Sequence, residues 1–419
     1  MIVRKFLSWS QTATAGERAE GASALARAYL YADLSAQDFD DAELALTTLL
    51  EDSSPLVRRA LAESFARAED APHHIVLTLA SDQSEVSSAI LSRSPLLSDV
   101  ELVNLLEAGD EFAQIAIALR PNLSQTVCIA LAEIGHEQAV VALAQNCSAC
   151  LGDEAIQKII DRFGSNAELT NALLLRANLN PFLKYEITRA IAARLGRFVR
   201  ECGWISDLKM MRVLNETKES SAILIADGGS SDVSELIRRL RMQGALTPGF
   251  LLRSLLSGSK TVFLQALVDL TQMPRDRVDG LIKNFRGSGF AALFAKAGLP
   301  GALLPAFCAA LSGLEIQTKT SDFVPNGALV RPLIAHVMQK CADAGQLNSE
   351  LLALLRRFEA EAARDAARLM ARNIVEEERM IASSERIGIA AVAAALDVPM
   401  LFEDLSVDEY QVLDFAVAA

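Results

Sequence analysis

Two cysteines and one histidine come closest, by type and spacing, to a reactive centre. Cys147 and Cys150 form a C-x-x-C motif, and His136 precedes them by eleven residues. Such a motif can bind a metal or exchange disulfides, but a structural zinc site needs four ligands and a thioredoxin-type centre needs a βαβ context. The sequence shows neither, so we predict no metal site and interpret the cysteines as small buried residues. The three residues remain candidate ligands.

A glycine-rich turn is a candidate for anion binding. Lys283 and Arg286 stand before Gly287 and Gly289 in one short run. Glycines let backbone N–H groups approach a phosphate, and the N-terminus of the following helix would face it. The alternative is a helix–helix turn that needs the same glycines. That alternative is favoured because no strand precedes the turn.

A column of polar residues recurs at the ends of repeated helices. Its members are Arg93, Arg120 and Arg176, with Asn146 in the gap. These four residues are the predicted partner-binding set, because they could line a groove for an acidic partner. The alternative is that each base pairs with helix-terminal carbonyls, or with acidic caps of the next unit, and so holds the stack together.

No other pattern names a reaction. The four histidines are scattered, and the chain has no H-E-x-x-H, G-x-S-x-G, Walker A or Rossmann motif. The run from Ile387 to Pro399 is faintly like the first half of a helix-turn-helix. The stretch after it is acidic where phosphate contacts would be needed. We therefore predict no catalytic residue and no cofactor.

These candidates are positioned by a repeat that runs from Asp52 to Arg176. Each unit is predicted to be two short helices whose apolar stripes are buried only when neighbouring units stack. The apolar column recurs every 26 to 30 residues, which is the range of helical solenoids, at Val57, Val86, Ala113, Ala139 and Leu169. A small residue follows three positions later, at Ala60, Ala89, Ala116, Ala142 and Ala172. Upstream stands a predicted helix-capping residue: Asp52, Asp82, Asp110, His136 and Asn166.

Composition supports an all-α fold. Hydrophobic residues make up 51% of the chain and aromatic residues only 5%, and alanine is abundant, whereas strands would favour β-branched and aromatic residues. We predict a HEAT-like helical-repeat solenoid with an N-terminal cap over residues 1–200. A second, less regular helical domain follows, with an irregular helical part at 201–312, a long-helix region at 328–385 and an acidic C-terminal segment at 386–419.

Several features of the chain beyond the repeats are also predicted. Residues 181–196 and 204–226 are predicted to be helices, and the polar run from Glu315 to Gly327 is predicted to be a loop. One long helix is expected from Leu347 to about Glu378. Its alanine-rich surface could form the seam of a homodimer, because small residues permit close helix approach.

Charge and cysteine usage limit the compartment and the partners. The net charge of −13 disfavours a general nucleic-acid binder, which needs a basic face. Six scattered cysteines in a chain of this length fit a reducing cytoplasm. The N-terminus lacks the long apolar region of a signal peptide, and the most apolar run, Ala297 to Leu311, is too short to span a membrane. We therefore expect a cytoplasmic protein without a transmembrane segment.

Two regions of the chain resemble a bacterial family of unknown function with HEAT-like helical repeats. The first is the repeat region, whose clearest unit is Ser54 to Ala62. The second comprises Gly244 to Gly258 and Phe290 to Pro300, and the likeness covers most of residues 40–370. The resemblance implies an all-α fold. It supplies no activity, so no functional residue is carried over from it.

The function favoured by the sequence is a non-catalytic protein-interaction scaffold or adaptor. Its concave face, lined mainly by the second helices of the repeats, would hold a protein or peptide. The alternative is a small-molecule or phosphate-binding sensor or enzyme with its site in the second helical domain. Nucleic acid is the disfavoured partner.

Overall fold

The computed structural model describes residues 8–10, 12–176, 179–228, 233–320 and 328–395, without the side chains of 318–320 and 380–395. Within these residues all regular structure is helical and no strand occurs, so the predicted all-α class is confirmed. Two predicted features, the loop between 321 and 327 and the acidic segment from 396 onward, lie outside the described residues.

The first part of the chain is a series of helices joined by short turns. We call the twelve helices from Ala15 to Glu201 the array. In chain order they are α1 (Ala15–Tyr31), α2 (Ala36–Leu49), α3 (Pro55–Phe65), α4 (His73–Ala80), α5 (Ser84–Arg93), α6 (Asp99–Ala108), α7 (Glu111–Ala118), α8 (Gln125–Ile134), α9 (Glu137–Gln145), α10 (Asp153–Phe163), α11 (Ala167–Leu174) and α12 (Pro181–Glu201).

Alternate helices of the array stack on one another. The odd-numbered helices from α1 to α11 form one row in which each contacts the next, and α6, α8, α10 and α12 form a second row. The predicted apolar column is the buried face of the first row: its members at α3, α5, α9 and α11 are fully buried and Ala113 nearly so. The spacing found in the sequence therefore marks real packing units, while the HEAT-like assignment stays a prediction.

Helix starts in the array differ in part from the sequence-based expectation. Asp110 and Asn166 cap α7 and α11, each accepting a backbone N–H at 2.9 Å. Asp52 and Asp82 do not act as caps, because the N-cap positions of α3 and α5 are Ser54 and Gln83. These two carboxylates lie just before the caps and instead accept hydrogen bonds from arginine side chains of the preceding unit. His136 is the N-cap of α9 but makes no side-chain cap bond.

A helical hairpin and a set of shorter helices continue the chain. The hairpin pairs α12 with α13 (Asp207–Asp227), and α12 runs five residues beyond the predicted end at Gly196. The shorter helices are α14 (Ser234–Met242), α15 (Pro248–Leu256), α16 (Lys260–Thr271), α17 (Arg275–Lys283) and α18 (Ser288–Lys296). The break between α15 and α16 was not predicted; it contains Gly258, whose φ of +87° only glycine adopts readily.

By its internal contacts the chain divides into two compact units. One contains the described residues within 8–255 and 259–301, and the other contains 256–258, 302–320 and 328–395. The second unit holds α19 (Leu304–Thr320), α20 (Arg331–Asp343) and α21 (Ser349–Ala395). The loop was predicted to begin at Glu315, and that start is wrong because α19 continues to Thr320. Leu311 and Leu314 are the buried residues of α19 just before this point. The predicted domain boundaries at 200 and 312 stay predictions.

Among the described helices, none combines the length and the apolar character required to cross a lipid bilayer.

Candidate functional site

Arg120, from the predicted partner-binding column, joins two successive units. Its guanidinium donates hydrogen bonds to the carbonyl oxygens of Leu91 and Ser94, both at 2.6 Å, at the end of α5. Leu91 and Ser94 are buried, so these carbonyls have no access to water. Burial lowers the pKa of Arg120 below its ordinary value. The geometry matches the alternative in which the base satisfies helix-terminal carbonyls.

The next two members of the column repeat this arrangement. The Asn146 side-chain amide donates to the carbonyls of Ala118 (2.8 Å) and Arg120 (2.7 Å). Arg176 donates to the carbonyls of Asn146 (3.0 Å) and Ala149 (2.8 Å). Each unit thus closes the C-terminal end of a helix in the unit before it. A role for these residues in binding a partner stays a prediction.

Arg93 differs from the other three residues of the column. Its side chain is exposed and makes no hydrogen bond or ion pair with a described residue. In this column, therefore, three side chains donate hydrogen bonds to the preceding unit, and the guanidinium of the fourth faces solvent.

The upstream acidic column is a second set of links between units. Arg18 grips Asp52 through two hydrogen bonds of 2.7 and 2.8 Å, and Arg58 pairs with Asp82 in the same way. The hydrogen bond from Arg18 holds the pKa of Asp52 below its usual value. Burial is the largest single influence on Asp82 and opposes its ionisation, yet its pKa is lowered because the Arg58 hydrogen bond, the Gln83 backbone hydrogen bond and the Arg58 charge together outweigh burial. Both carboxylates therefore remain ionised at neutral pH.

Further hydrogen bonds continue these links along the array. Ser84 donates to Asp110, and this bond, followed by the cap bond from the Ala113 N–H, holds the pKa of the Asp110 carboxyl below its usual value. The backbone N–H of His136 donates to the Gln114 side-chain oxygen at 2.8 Å. The sequence predicted this column correctly as caps at Asp110 and Asn166 but not at Asp52 and Asp82, because the arginine partners of those two carboxylates lie about a whole repeat away.

A groove runs along the edge of the array where successive units join. Two adjoining cavities of about 630 and 320 Å³ form it, and they share Ser81 and Asp82. Their walls are the turns before α3, α5 and α7, with Arg58 and parts of α4 and α6. Carboxylates predominate among its charged residues, at Glu51, Asp52, Asp82 and Asp110. We call this feature the edge groove; sequence reasoning did not predict it, because its walls come from three different units.

Two exposed apolar side chains lie close in sequence to residues that line the edge groove. Leu56 and Phe112 are each the second residue of a helix whose first turn adjoins the groove, and both are largely exposed. They occupy the same register, one position before the buried column. Their position makes these two side chains the ones to remove in a test of the groove.

The C-x-x-C motif is placed differently from the sequence interpretation. Cys147 and Cys150 are both exposed, so their interpretation as buried cysteines is wrong; they lie in the turn before α10, which is open to solvent. The His136 ring is hydrogen-bonded to Gln114, with Nδ1 2.8 Å from the side-chain amide oxygen. Within the described part of the chain, no group of three or more His, Cys, Asp or Glu side chains is placed to hold a metal ion.

Alkylation should separate the cysteines by exposure. Burial raises the pKa of Cys128 to about 11, so almost none of it is thiolate at pH 8. We expect iodoacetamide to modify exposed Cys147, Cys150 and Cys202 fully before Cys128 shows any label in the native chain, as measured by peptide mass spectrometry. In the denatured chain all six cysteines should react alike. Equal native rates for Cys128 and Cys202 would contradict the packing of α8.

The glycine-rich turn is built as a helix–helix connection. Lys283 pairs with Asp279 at 2.6 Å, and the Arg286 guanidinium lies over the Phe285 ring. A Cβ on Gly289 would stand 2.8 Å from a methyl carbon at the far end of the Leu281 side chain, so α17 and α18 approach closely at this point. Anion binding at Lys283, Arg286, Gly287 and Gly289 stays a prediction.

The hairpin of α12 and α13 exposes a second apolar surface that sequence reasoning missed. Between Gly196 and Ala222 the single buried residue is Met210. Phe198 and Trp204 contact each other edge to face, with ring centroids 5.7 Å apart. The sequence gives little indication of this exposed surface, because the same two helices also carry buried apolar residues farther from the turn.

Comparison with known proteins adds a family but no activity. The model of a family described as an uncharacterised protein conserved in bacteria, DUF2336, matches residues 86–346. That span includes α5 to α20, and therefore the hairpin, but excludes most of the edge groove. No curated protein and no solved structure matches the chain.

Proposed function

We propose that this chain, which belongs to the DUF2336 family of uncharacterised bacterial proteins, is a non-catalytic protein-binding adaptor. The edge groove would bind an extended segment of a protein partner that carries basic and apolar side chains. This places the partner at the inter-unit turns, rather than on the second helices that the sequence favoured.

The observation that carries the proposal is the continuity of the groove across three units. A cavity within one turn would fit a small ligand, whereas two adjoining cavities follow the array and suit an extended peptide. The groove walls are held by the Arg18–Asp52 and Arg58–Asp82 pairs, so little ordering would be needed on binding. Its excess of carboxylates favours a cationic segment.

A matched pair of surface variants tests this proposal. Leu56→Ala combined with Phe112→Ala removes both apolar side chains close in sequence to the groove residues, and we expect about a tenfold loss of affinity for the captured partner. The control combines Val100→Ala with Leu119→Ala, which removes two exposed apolar residues at the ends of α6 and α7 opposite to their groove-lining residues. Immobilised variants would be compared by capture from a bacterial lysate, followed by titration of the captured protein.

Each result of that comparison is informative. Capture by the wild type and the control variant, with loss in the groove variant, supports the adaptor. Equal capture by all three chains would exclude the groove as the binding surface. Failure of the wild-type chain to enrich any protein above the bare matrix would contradict the function itself.

A further inference from the structure

The outer part of the α12–α13 hairpin, from Leu195 to Met211, has almost no tertiary cover; we call it the hairpin tip. From Arg197 to Lys209 no side chain is buried. On α13 the buried stripe is interrupted after Met210 and resumes only at Ala222. The two helices contact each other there, and nothing else in the unit buries their outer turns. Their apolar side chains therefore face water.

The exposed side chains of the tip are large. Trp204 in the turn is 59% exposed and Leu208 at the start of α13 is 81% exposed, with Phe198 and Met211 also exposed on the flanking helices. Exposing so much apolar surface at one place costs solubility and is typical of an interaction surface. Tryptophan is favoured where one side of a residue is apolar and the other is wet, as at a lipid headgroup boundary.

The tip is basic on a chain that is acidic overall. Between residues 194 and 212 there are five bases and two acids, whereas the whole chain carries a net charge of −13. Arg200 is paired with Asp207 at 3.2 Å. The side chains of Arg197, Lys209 and Arg212 make no hydrogen bond or ion pair with a described residue. Three cations thus stand beside the apolar side chains and favour an anionic surface.

The shape and charge of the tip discriminate between its possible occupants. A second copy that docked tip to tip would bring two basic surfaces together, and like charges oppose that contact. A rigid protein would need a concavity shaped to a tip that has no buried residue over thirteen consecutive positions. A fluid interface needs no such match, because lipids rearrange around the inserted side chains.

We propose that the hairpin tip docks on an anionic membrane surface. Trp204 and Leu208 enter the boundary between headgroups and acyl chains, and Arg197, Lys209 and Arg212 contact lipid phosphates. The docking is peripheral, in keeping with the lack of a membrane-spanning helix in the described residues. The inference is independent of the edge groove and survives if the groove binds nothing.

Vesicle flotation of the full chain tests the proposal. The probes are vesicles of phosphatidylcholine alone and vesicles of equal parts phosphatidylcholine and phosphatidylglycerol. We expect the chain to float with the anionic vesicles, to remain behind with the neutral ones, and to be released by high salt. In a Trp9→Phe background Trp204 is the sole tryptophan, and its emission should shift to shorter wavelength with anionic vesicles.

Two tip variants separate the apolar and the charged contributions. Trp204→Ala with Leu208→Ala should weaken binding to anionic vesicles by at least about tenfold, because two inserted side chains are lost. Arg197→Gln with Lys209→Gln and Arg212→Gln should weaken it by a similar or larger factor and flatten its salt dependence. Leu175→Ala, which truncates an 87% exposed residue of the array, is the control and should bind as the wild type does.

The contrary outcomes are equally specific. An unchanged Trp204 emission with anionic vesicles, or equal flotation of the wild type and both tip variants, would overturn the proposal. A chain that forms dimers lost on Trp204→Ala, without vesicle binding, would assign the tip to a second copy. Tip-dependent binding of a soluble acidic protein, again without vesicle binding, would assign it to a protein partner. Circular dichroism of each variant checks that helix content is retained.

Discussion

Replacing Arg253 by methionine is expected to lower the free energy of unfolding by about 3 kcal/mol. Arg253 is 1% exposed and lies in α15, which is buried throughout from Phe250. Its guanidinium donates to Glu219 at 3.1 Å and to Ser220 at 2.7 Å, and so ties α13 to α15. Methionine fills similar volume but leaves the Glu219 carboxylate without its counter-charge. Urea denaturation followed by circular dichroism measures the loss.

Two further variants isolate the cause of that loss. Glu219→Gln added to Arg253→Met should recover part of the stability, because a neutral amide no longer requires a nearby cation. Arg59→Met, which breaks an ion pair with Glu63 in which both side chains are 55% exposed, should produce no resolvable change. If Arg253→Met behaves like Arg59→Met, the buried pair does not hold the hairpin to α15.

Replacing Arg120 by methionine should lower the free energy of unfolding by about 2 to 3 kcal/mol. The substitution leaves the buried carbonyls of Leu91 and Ser94 without their charged donor. Arg93→Met is the matched control, since it changes the same residue type in the same column at an exposed site without a partner in the described chain. Arg93→Met should leave stability unchanged within error. The comparison uses the same urea titration for both variants.

The result also decides between the two interpretations of the arginine column. A large loss for Arg120→Met with none for Arg93→Met would show that Arg120 holds the stack together. If both variants lose a negligible amount of unfolding free energy, Arg120 does not hold the stack together, and the partner-binding interpretation is favoured for it. An equal effect of both variants on partner capture, without a stability change, would support the whole column as a binding surface.

The edge groove and the hairpin tip suggest complementary roles within one chain. The groove is acidic and extended, whereas the tip is basic, apolar and compact. A chain with both activities would hold a protein partner close to a membrane surface. The groove variants and the tip variants test the two activities separately, because no residue is shared between them.

The sequence allowed the repeat and its buried column to be predicted because both are local in origin. Apolar residues at helical spacing must be buried, and short helices can bury them only by stacking. Val57, Val86, Ala139 and Leu169 were therefore identified as core from spacing alone, and the all-α class followed from composition. Glycines and prolines likewise marked most of the breaks between helices.

Other properties depended on residues that meet only in the folded chain. Asp52 and Asp82 look like caps in sequence, but arginines from the preceding unit decide their role. Arg93 and Arg120 are equivalent in the repeat, yet only Arg120 reaches buried carbonyls. The apolar tip is invisible to periodicity, because exposure depends on whether another helix covers a stripe. Local spacing thus determined the units, while contacts a whole repeat or more apart decided which of their side chains remain available for function.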